Sequence, residues 1–195
     1  MSPASPTIVG TDGLTRCAWA GTDAEYQRYH DEEWGVPLHG QRQVFEKISL
    51  EGFQAGLSWI TILRKRPAFR ERFHGFDLDA VAAMTEADVE SLLEDARIIR
   101  HRGKINAVIG NARTALELGD DLDELLWSFA PPPRPARFAQ WTEVPAVTPE
   151  STALSAHLRK RGYRFVGPTT MYALMQSGGL VDDHLVGCCR SESTP

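Results

Sequence analysis

The sequence predicts an all-α fold on three observations. Apolar residues recur at helical spacing, and one long helical stretch carries several on a single face: Val44, Ile48, Ala55, Trp59 and Ile62. Capping residues, prolines and glycines mark where helices begin and end. No strand-like alternation of apolar and polar residues is found. From the usual lengths of helices and connections, we expect about eight to ten short helices.

The first helices are predicted from their starting residues. Thr22 and Glu25 form a capping-box pattern ahead of "AEYQRYHDEEW". Thr85 and Asp88 indicate the start of a later helix, and the stretch "KINAVIGNARTAL" places its apolar residues on one side. These signals predict helices in the first two thirds of the chain.

The last helices follow a proline-rich connection over residues 130–149. Pro149 and Pro168 suit first-turn positions, because their missing N–H has no partner there in any case. Gly178 and Gly179 are typical of a helix end.

Length and composition predict one domain. The chain has 195 residues, 42% of them hydrophobic, which is enough to bury one sizeable core. We expect a single domain over residues 15–190, with loose tails over residues 1–14 and 191–195. No run approaches the roughly 20 apolar residues of a membrane span, and no signal-peptide pattern is found. Three cysteines do not suit a disulfide framework, so we expect a cytoplasmic protein without a membrane partner.

The charges are segregated along the chain despite a net charge of −5. Residues 97–116 and 151–181 contain arginines and lysines but no acid. Local charge outweighs distant charge at physiological screening, so an acidic protein can still present a basic face to a polyanion. The alternative is that these cations are solvated helix faces.

Four residues near the two chain ends form a candidate zinc site. If residues 184–188 are helical, His184 and Cys188 lie on one face, and Cys17 and His30 supply the other two ligands. Two thiolates and two imidazoles complete a tetrahedral zinc site that leaves no position for water, so its role would be structural. Cys189 competes with Cys188 for the fourth position, and the spacing could also arise by chance.

Glu51 is the candidate functional carboxylate. It lies in "LEGFQAGLSWITIL", where helical geometry places it on the apolar face. A buried carboxylate must be hydrogen-bonded, paired or protonated, and such groups cluster at functional sites. A structural salt bridge or a buried cap is the alternative.

Aromatic residues are concentrated in the same part of the chain: Trp19, Tyr26, Tyr29, Trp34 and Trp59. Around a carboxylate they would form a slot for a flat cationic ring, which gains from stacking, cation–π attraction and charge pairing. Ordinary core packing is the alternative.

Four segments occur in order between Arg16 and Cys189: "RCAWAGTDAEYQRYHDEEWGVP", "LEGFQAGLSWITILRKR", "IIRHRGKINAVIGNA" and "FVGPTTMYALMQSGGLVDDHLVGCC". In these segments the chain resembles the 3-methyladenine DNA glycosylase I family, a helix-hairpin-helix family of DNA repair enzymes. The resemblance implies an all-α glycosylase-like single domain. It also implies one structural Zn²⁺ held by Cys17, His30, His184 and Cys188.

The resemblance further implies a base-excision enzyme that hydrolyses the N-glycosidic bond of 3-methyladenine in double-stranded, alkylated DNA, after flipping the base out of the duplex. Glu51 would bind the base edge and favour its cationic form. Tyr29 and Trp59 would stack on the two faces of the ring, with Tyr26, Trp19 and Trp34 shaping the pocket. No lysine is placed to form a Schiff base, so we expect hydrolysis without strand cleavage.

For DNA binding, the resemblance makes "DARIIRHRGK" a helix-hairpin-helix element. Backbone amides around Gly103 and Lys104 would bind a phosphate, and basic side chains such as Arg100 and Arg102 would add salt-dependent affinity. Leu57 is a candidate wedge that fills the gap left by the flipped base, although a core leucine is an equal alternative.

Two positions depart from the family pattern. Arg97 stands where a small residue is expected in the hairpin, which puts the tightness of that turn in question. Asp182 stands where asparagine is common, and would either orient His184 or face water.

Two other functions remain open from the sequence. A lesion sensor would bind the damaged base without cleaving it, and a zinc-stabilised interaction module would use the aromatic residues only as core. A monomer is the expected state of such a small repair enzyme.

Overall fold

The structure, a computed structural model, describes residues 5–192 and is mostly helical. Nine α-helices lie within these residues, which fits the number expected. Their bounds are α1 Ala24–Glu32, α2 Gln41–Gln54, α3 Trp59–Arg72, α4 Leu78–Ala82, α5 Glu86–Glu94, α6 Arg102–Leu118, α7 Leu122–Trp127, α8 Pro149–Lys160 and α9 Pro168–Ser177. Short 3-10 turns cover Ala18–Ala20, His74–Phe76, Trp141–Glu143 and Cys189–Glu192.

The described chain divides into two compact units. The first contains residues 5–37, 131–146 and 175–192, and the second contains residues 38–130 and 147–174. The single domain that we expected over residues 15–190 stays a prediction.

A short β-ribbon in the first unit corrects the expectation of a loose tail over residues 1–14. Strand β1, Thr7–Val9, pairs antiparallel with strand β2, Thr15–Cys17. The amide of Gly10 donates to the carbonyl of Leu14 at 2.9 Å and closes the connection between the strands. β-Branched residues favour strands, but three of them are too few to show an alternating pattern. Residues 1–4 of that tail lie outside the described chain, as do residues 193–195 of the C-terminal tail.

Helix α1 begins one residue later than the capping-box pattern predicted. Its N-cap is Asp23 and not Thr22, because the Asp23 carboxylate accepts a hydrogen bond from the amide of Tyr26 at 3.0 Å. An aspartate in that position satisfies one of the free amides of the first turn.

The prediction of one long helical stretch through residues 44–62 is wrong, because these residues form parts of two helices, α2 and α3, separated by residues 55–58. Gly56 has φ +83° and leaves the helical conformation. The Lys104 ammonium donates to the carbonyls of Phe53 and Ala55, which are left without helical partners where α2 ends.

Helix α6 is central to the core of the second unit, where it contacts α4 and α5. Ile105, Val108 and Ala112 are buried, which confirms the apolar side predicted for this helix. The capping box of Thr85 and Asp88 at the start of α5 is also confirmed.

The predicted boundaries of the last helices are confirmed. Helix α8 begins at Pro149 and α9 at Pro168. Helix α9 ends at Ser177, and Gly179 follows with φ +73°. A side chain at Gly179 would lie 2.5 Å from the backbone nitrogen of Pro37, so this position requires glycine for space as well as for conformation.

Among residues 5–192, no helix is both long enough and apolar enough to cross a membrane.

Candidate functional site

The first unit brings the four predicted metal ligands together in a buried cluster. One ligand atom from each of Cys17, His30, His184 and Cys188 lies within 4.8 Å of all the others. Cys17 is the last residue of β2 and His30 lies in the last turn of α1, while His184 and Cys188 follow α9. This group could hold a metal ion, with every ligand supplied by the protein.

The two C-terminal ligands meet through a turn and not through a helix, which corrects the geometry that we expected. The amide of Cys188 donates to the carbonyl of Leu185 at 3.1 Å, and Gly187 has φ +83°. The turn folds Cys188 back toward His184, so that their Sγ and Nδ1 atoms are 3.7 Å apart.

Cys188 rather than Cys189 belongs to the cluster, as the spacing predicted. A hydrogen bond with the Cys17 thiol lowers the pKa of Cys188, and the nearby rings of His184 and His30 lower it further. Burial instead raises the pKa of Cys189. Thiolates are the form of cysteine that binds metals.

Both histidine rings are oriented by hydrogen bonds on the side away from the thiols. His30 Nδ1 lies 2.8 Å from a carboxylate oxygen of Asp31, and His184 Nε2 lies 3.1 Å from the carbonyl oxygen of Trp34. The opposite nitrogens, His30 Nε2 and His184 Nδ1, lie 3.4 and 3.7 Å from Cys188 Sγ. With acceptors fixing the protonated nitrogens, the other two nitrogens are left as ligands.

Asp31 is in turn held by a buried arginine. Arg16 is 3% exposed and donates from Nη2 to Asp31 at 2.6 Å, and from the same nitrogen to Asp12 at 2.6 Å. Burial raises the pKa of Asp31, but hydrogen bonds from Arg16 and His30 outweigh it, so the net pKa is lowered. Asp31 is therefore a fixed carboxylate that keeps His30 oriented.

Four of the five predicted base-contacting aromatics cluster in the first unit. The Trp19 ring is 5.1 Å from Tyr26, 6.4 Å from Tyr29 and 5.0 Å from Trp34, measured between centroids. The Trp34 ring also meets the His184 ring edge-on at 4.6 Å. The aromatic cluster therefore rests directly on the candidate metal ligands.

One donor in this cluster has no hydrogen-bond partner among the described residues. It is the buried indole nitrogen of Trp19. A buried N–H without an acceptor is uncommon and suggests a role in binding.

In the second unit, Glu51 lies in α2 and is 3% exposed, as its place on the apolar face predicted. The ammonium of Lys47, one turn earlier, is 4.0 Å from its carboxylate and 4.4 Å from the centre of the Trp59 ring. The carboxylate distance exceeds that of a hydrogen bond. The Lys47 ammonium thus lies near both the carboxylate and the ring.

The connection between α5 and α6, residues 95–101, needs no glycine at position 97. Arg97 is not among the residues with positive φ, and its backbone amide donates to Asp95 at 2.9 Å. Its guanidinium pairs with Asp95 and Glu71, each at 2.8 Å. Arg97 therefore stabilises the connection, and its charge is already compensated.

Helix α6 begins with its first amides partly satisfied. The His101 ring accepts a hydrogen bond from the amide of Lys104 at 3.2 Å. The Lys104 side chain points inward and donates to Phe53 and Ala55 at 2.9 and 2.6 Å, and burial lowers its pKa. The Lys104 ammonium thus caps the end of α2, and the phosphate contact expected from the backbone amides around Gly103 and Lys104 stays a prediction.

The other predicted DNA-contacting residues differ in their exposure and in whether their charges are already paired. Arg102 pairs with Glu86 and Glu90. Arg100 and Gly103 are exposed, and no ion pair of Arg100 is found within the described chain. Leu57 is 40% exposed, which favours the wedge over the core alternative.

Comparison with known proteins gives the same family as the motifs. Residues 19–191 match the family model described as methyladenine glycosylase. The chain belongs to the methyladenine glycosylase family.

Relatives of the chain match it over most of their length. The chain is 52% identical over 180 residues to DNA-3-methyladenine glycosylase 1 of Escherichia coli K12, covering 90% of this chain and 96% of the relative. A crystal structure of 3-methyladenine DNA glycosylase I superposes with a TM-score of 0.86 at 50% identity, covering 89% of this chain and 98% of the other. A variant of 3-methyladenine DNA glycosylase I in complex with 3-methyladenine superposes with a TM-score of 0.83 at 34% identity, covering 89% and 96%.

Asp182 in this methyladenine glycosylase does not orient the His184 ring. Its carboxylate accepts from the backbone amide of His184 at 3.1 Å and pairs with Arg137. The ring is oriented by the Trp34 carbonyl instead, so the role suggested for Asp182 passes to a backbone group.

Sequence reasoning missed three contributors to the site: Asp31, the Trp34 carbonyl and Lys47. Asp31 follows a predicted ligand directly, and Lys47 is four residues before Glu51, a spacing at which helical side chains meet. Those two signals are visible in the sequence. No sequence signal marks the Trp34 carbonyl, because every residue has a backbone carbonyl. Stacking by Tyr29 and Trp59 involves one residue from each unit and stays a prediction.

Proposed function

We propose that this methyladenine glycosylase hydrolyses the N-glycosidic bond of 3-methyladenine in alkylated, double-stranded DNA. The observation that carries the proposal is the buried carboxylate of Glu51, with the Lys47 ammonium near both it and the Trp59 ring. Two similar proteins support it: the relative named DNA-3-methyladenine glycosylase 1, and the separate 3-methyladenine DNA glycosylase I variant whose structure contains 3-methyladenine.

The chemistry requires recognition of a cation more than strong acid catalysis. Adenine methylated at N3 in DNA carries a delocalised positive charge, which weakens its bond to deoxyribose, and it departs as a neutral base. The enzyme must mainly extract the nucleotide from the stack, at a cost of a few kcal/mol, and recognise it.

Glu51 is proposed as the group that accepts hydrogen bonds from the base edge and favours the cationic form. At 3% exposure its charge is poorly screened by water, so its attraction for a cation is stronger than at the surface. Lys47 supports this assignment, because its ammonium, which is itself a cation, already lies near both the Glu51 carboxylate and the Trp59 ring.

The aromatic residues are proposed to bind the flat ring. Trp59 attracts a cation to its face, as its 4.4 Å contact with the Lys47 ammonium illustrates. In the first unit, Trp19, Tyr26, Tyr29 and Trp34 form a continuous cluster in which the Trp19 indole offers an unused donor. We propose that Tyr29 stacks on the base and that the other three shape the pocket.

Hydrolysis without strand cleavage is proposed because both lysines near the site are engaged. Lys104 donates to two carbonyls, and the Lys47 ammonium is held beside Glu51. A Schiff base would require a free amine. Intact strands after base release, before any alkaline treatment, would support this.

For DNA binding we propose that α5, residues 95–101 and α6 act as a helix-hairpin-helix element. Gly103 lies exposed in the first turn of α6, where backbone amides favour a phosphate. Arg100 would add a salt-dependent contact, and Leu57 would enter the gap left by the flipped base.

Zinc is proposed as the metal. Bonds of about 2.0 to 2.3 Å in a tetrahedron give ligand separations of about 3.3 to 3.8 Å. Three of the six atom pairs in this cluster lie at 3.4, 3.7 and 4.0 Å, and all six lie within 4.8 Å. Two sulfur and two nitrogen donors suit Zn²⁺, and four protein ligands indicate a structural role. Bound there, the ion would fix the residues beneath the aromatic cluster.

We also propose a monomer in the cytoplasm. The three cysteines are free, which suits a reducing compartment.

Release of free 3-methyladenine from methylated duplex DNA tests the proposed function. The enzyme liberates the base, a lesion sensor binds the duplex without release, and an interaction module does neither. Release by the wild type, together with its loss in Glu51→Gln at unchanged melting temperature, would support the proposal. Absence of release by the wild type would overturn it.

A further inference from the structure

The connection between α8 and α9, residues 161–167, holds a large apolar side chain in an unusual conformation. Phe165 has φ +57°, in the left-handed region that bulky residues rarely adopt, and it is 38% exposed. Such conformations persist only where surrounding contacts impose them, and they cluster at functional sites. Both the conformation and the exposure of Phe165 therefore require an explanation.

Buried polar groups impose this conformation from both sides of Phe165. Asn111 is 3% exposed, and its side chain accepts from the Arg164 amide at 2.9 Å and donates to the Arg164 carbonyl at 3.1 Å. Ser155 donates to the carbonyl of Val166 at 2.6 Å. The segment is thus fixed before any ligand arrives.

Phe165 lies against two glycines, and only Gly52 is too close to it for an added side chain to fit without a shift. A Cβ on Gly52 would lie 3.3 Å from the Phe165 Cβ, and a Cβ on Gly103 would lie 4.0 Å from the tip of its ring. The ring also meets the His101 ring edge-on at 6.3 Å. Phe165 therefore lies between the last turn of α2, which leads to Leu57, and the first turn of α6.

Unpaired cations flank this aromatic residue. Arg159, Lys160 and Arg164 are exposed, and no ion pair is found for them within the described chain. By contrast, Arg161 of the same connection pairs with Asp120. A helix C-terminus attracts basic residues for its own stability, but Arg164 lies beyond α8, so that explanation does not cover it.

We propose that residues 161–167 form a second DNA-contacting element, in which the Phe165 ring packs against sugars or base edges of the damaged duplex and Arg164 contacts a phosphate. The inference rests on the proposed function. A rigid apolar side chain beside unpaired cations, next to a helix start with exposed Gly103, suits a duplex that presents sugars and base edges beside its phosphates. Its rigidity reduces the ordering that binding requires.

Phe165→Gly tests the proposal, because glycine accepts φ +57° and the substitution removes the whole benzyl side chain. We expect its affinity for a duplex with a stable abasic-site analogue to fall about tenfold, the usual scale of an aromatic contact to nucleic acid. Binding of free 3-methyladenine and the melting temperature should stay unchanged. Phe165→Tyr should retain duplex affinity, and Leu116→Ala, at a side chain of similar exposure, should have no effect.

Arg164→Ala should reduce the slope of log duplex affinity against log salt concentration by about one, the amount expected for one lost phosphate contact. Wild-type duplex affinity in Phe165→Gly would overturn the proposal. So would an equal loss of free-base and duplex binding, since Phe165 would then act through the base pocket or the fold. The proposed function fails separately, if the wild type releases no 3-methyladenine.

Discussion

His30 and Asp31, neighbours in the chain, form a hydrogen bond of 2.8 Å between Nδ1 and a carboxylate oxygen. The contact leaves His30 Nε2 facing the Cys188 thiol at 3.4 Å. Arg16 holds the same carboxylate with bonds of 2.6 to 3.0 Å. The orientation of a candidate metal ligand thus depends on a residue that binds no metal itself.

Asp31→Asn should lower metal affinity about 10- to 100-fold, as is usual when the partner of a ligating histidine is lost. An amide is a weaker acceptor for the imidazole N–H, so the ring is less firmly oriented and less basic. Competition with a chromophoric chelator measures the affinity, and the visible spectrum of the Co²⁺ form reports the ligand geometry. Asp12→Asn is the matched control, because Asp12 bonds to Arg16 but not to His30. Equal affinities of the two variants would contradict the role given to Asp31.

Removal of the metal should lower the melting temperature. If free zinc is at a thousandfold excess over its dissociation constant, chelation removes about 4 kcal/mol of stability, or roughly 8 to 16 °C for a chain of this size. Calorimetry with and without a chelator measures the shift. Free 3-methyladenine binding should weaken in parallel, because Trp34 packs on His184. An unchanged melting temperature after chelation would contradict the assignment of a structural metal to this site.

The buried carboxylate could be predicted from helical spacing, and the ligand set from residue type together with the family resemblance. Cys17, His30, His184 and Cys188 form one cluster, and Glu51 is buried. The helix starts at Pro149 and Pro168 follow from local backbone chemistry in the same way.

What the sequence did not predict depends on contacts between distant residues. Lys104 resembles a surface cation in a basic segment, yet it caps α2, some 50 residues earlier in the chain. Phe165 resembles an ordinary core residue, and only the side chain of Asn111 explains its conformation. The turn at Gly187 replaced a predicted helix because glycine at positive φ permits a tighter return of the chain.

Stability in acid should depend on Asp95, at the start of the connection between α5 and α6. Hydrogen bonds from the Arg97 side chain and amide lower the pKa of Asp95 from 3.8 to about 2. A carboxylate with a lowered pKa in the folded chain contributes stability that is complete above its ordinary pKa and is lost as the pH falls toward 2. Asp95→Asn should therefore reduce the loss of stability between pH about 4 and about 2.

Denaturant unfolding of chelated protein across that range measures the effect without interference from metal release. Asp79→Asn, in the neighbouring helix α4, serves as the control, and its pH profile should follow that of the wild type. A profile for Asp95→Asn as steep as that of the wild type would show that the Arg97 contact does not stabilise the fold.

Glu51→Gln should reduce base release about 100-fold while leaving the melting temperature close to that of the wild type. Glutamine keeps the shape but loses the charge that favours a cationic base. Single-turnover release from methylated duplex measures the step directly, and duplex affinity should change little. Full activity in this variant would show that the Glu51 charge has no role in base release.

Lys47 should oppose binding of a cationic base, because its ammonium lies 4.0 Å from the Glu51 carboxylate and 4.4 Å from the centre of the Trp59 ring. Replacing it with an uncharged side chain of similar length removes a competing cation. Lys47→Met should therefore bind a permanently cationic analogue of the base, such as 3,9-dimethyladeninium, roughly 5- to 10-fold more tightly, and the gain should be larger at low salt. Titration of the tryptophan fluorescence measures the affinity.

Lys47→Arg, which keeps the charge, should show no such gain, and Lys160→Met controls for the loss of a lysine elsewhere in the same unit. The decisive comparison is the double variant with Glu51→Gln. If Lys47 acts by competing for the carboxylate, Lys47→Met should improve binding only when Glu51 is charged. An equal gain in both backgrounds would mean that Lys47 weakens binding by filling space in the pocket and not by its charge.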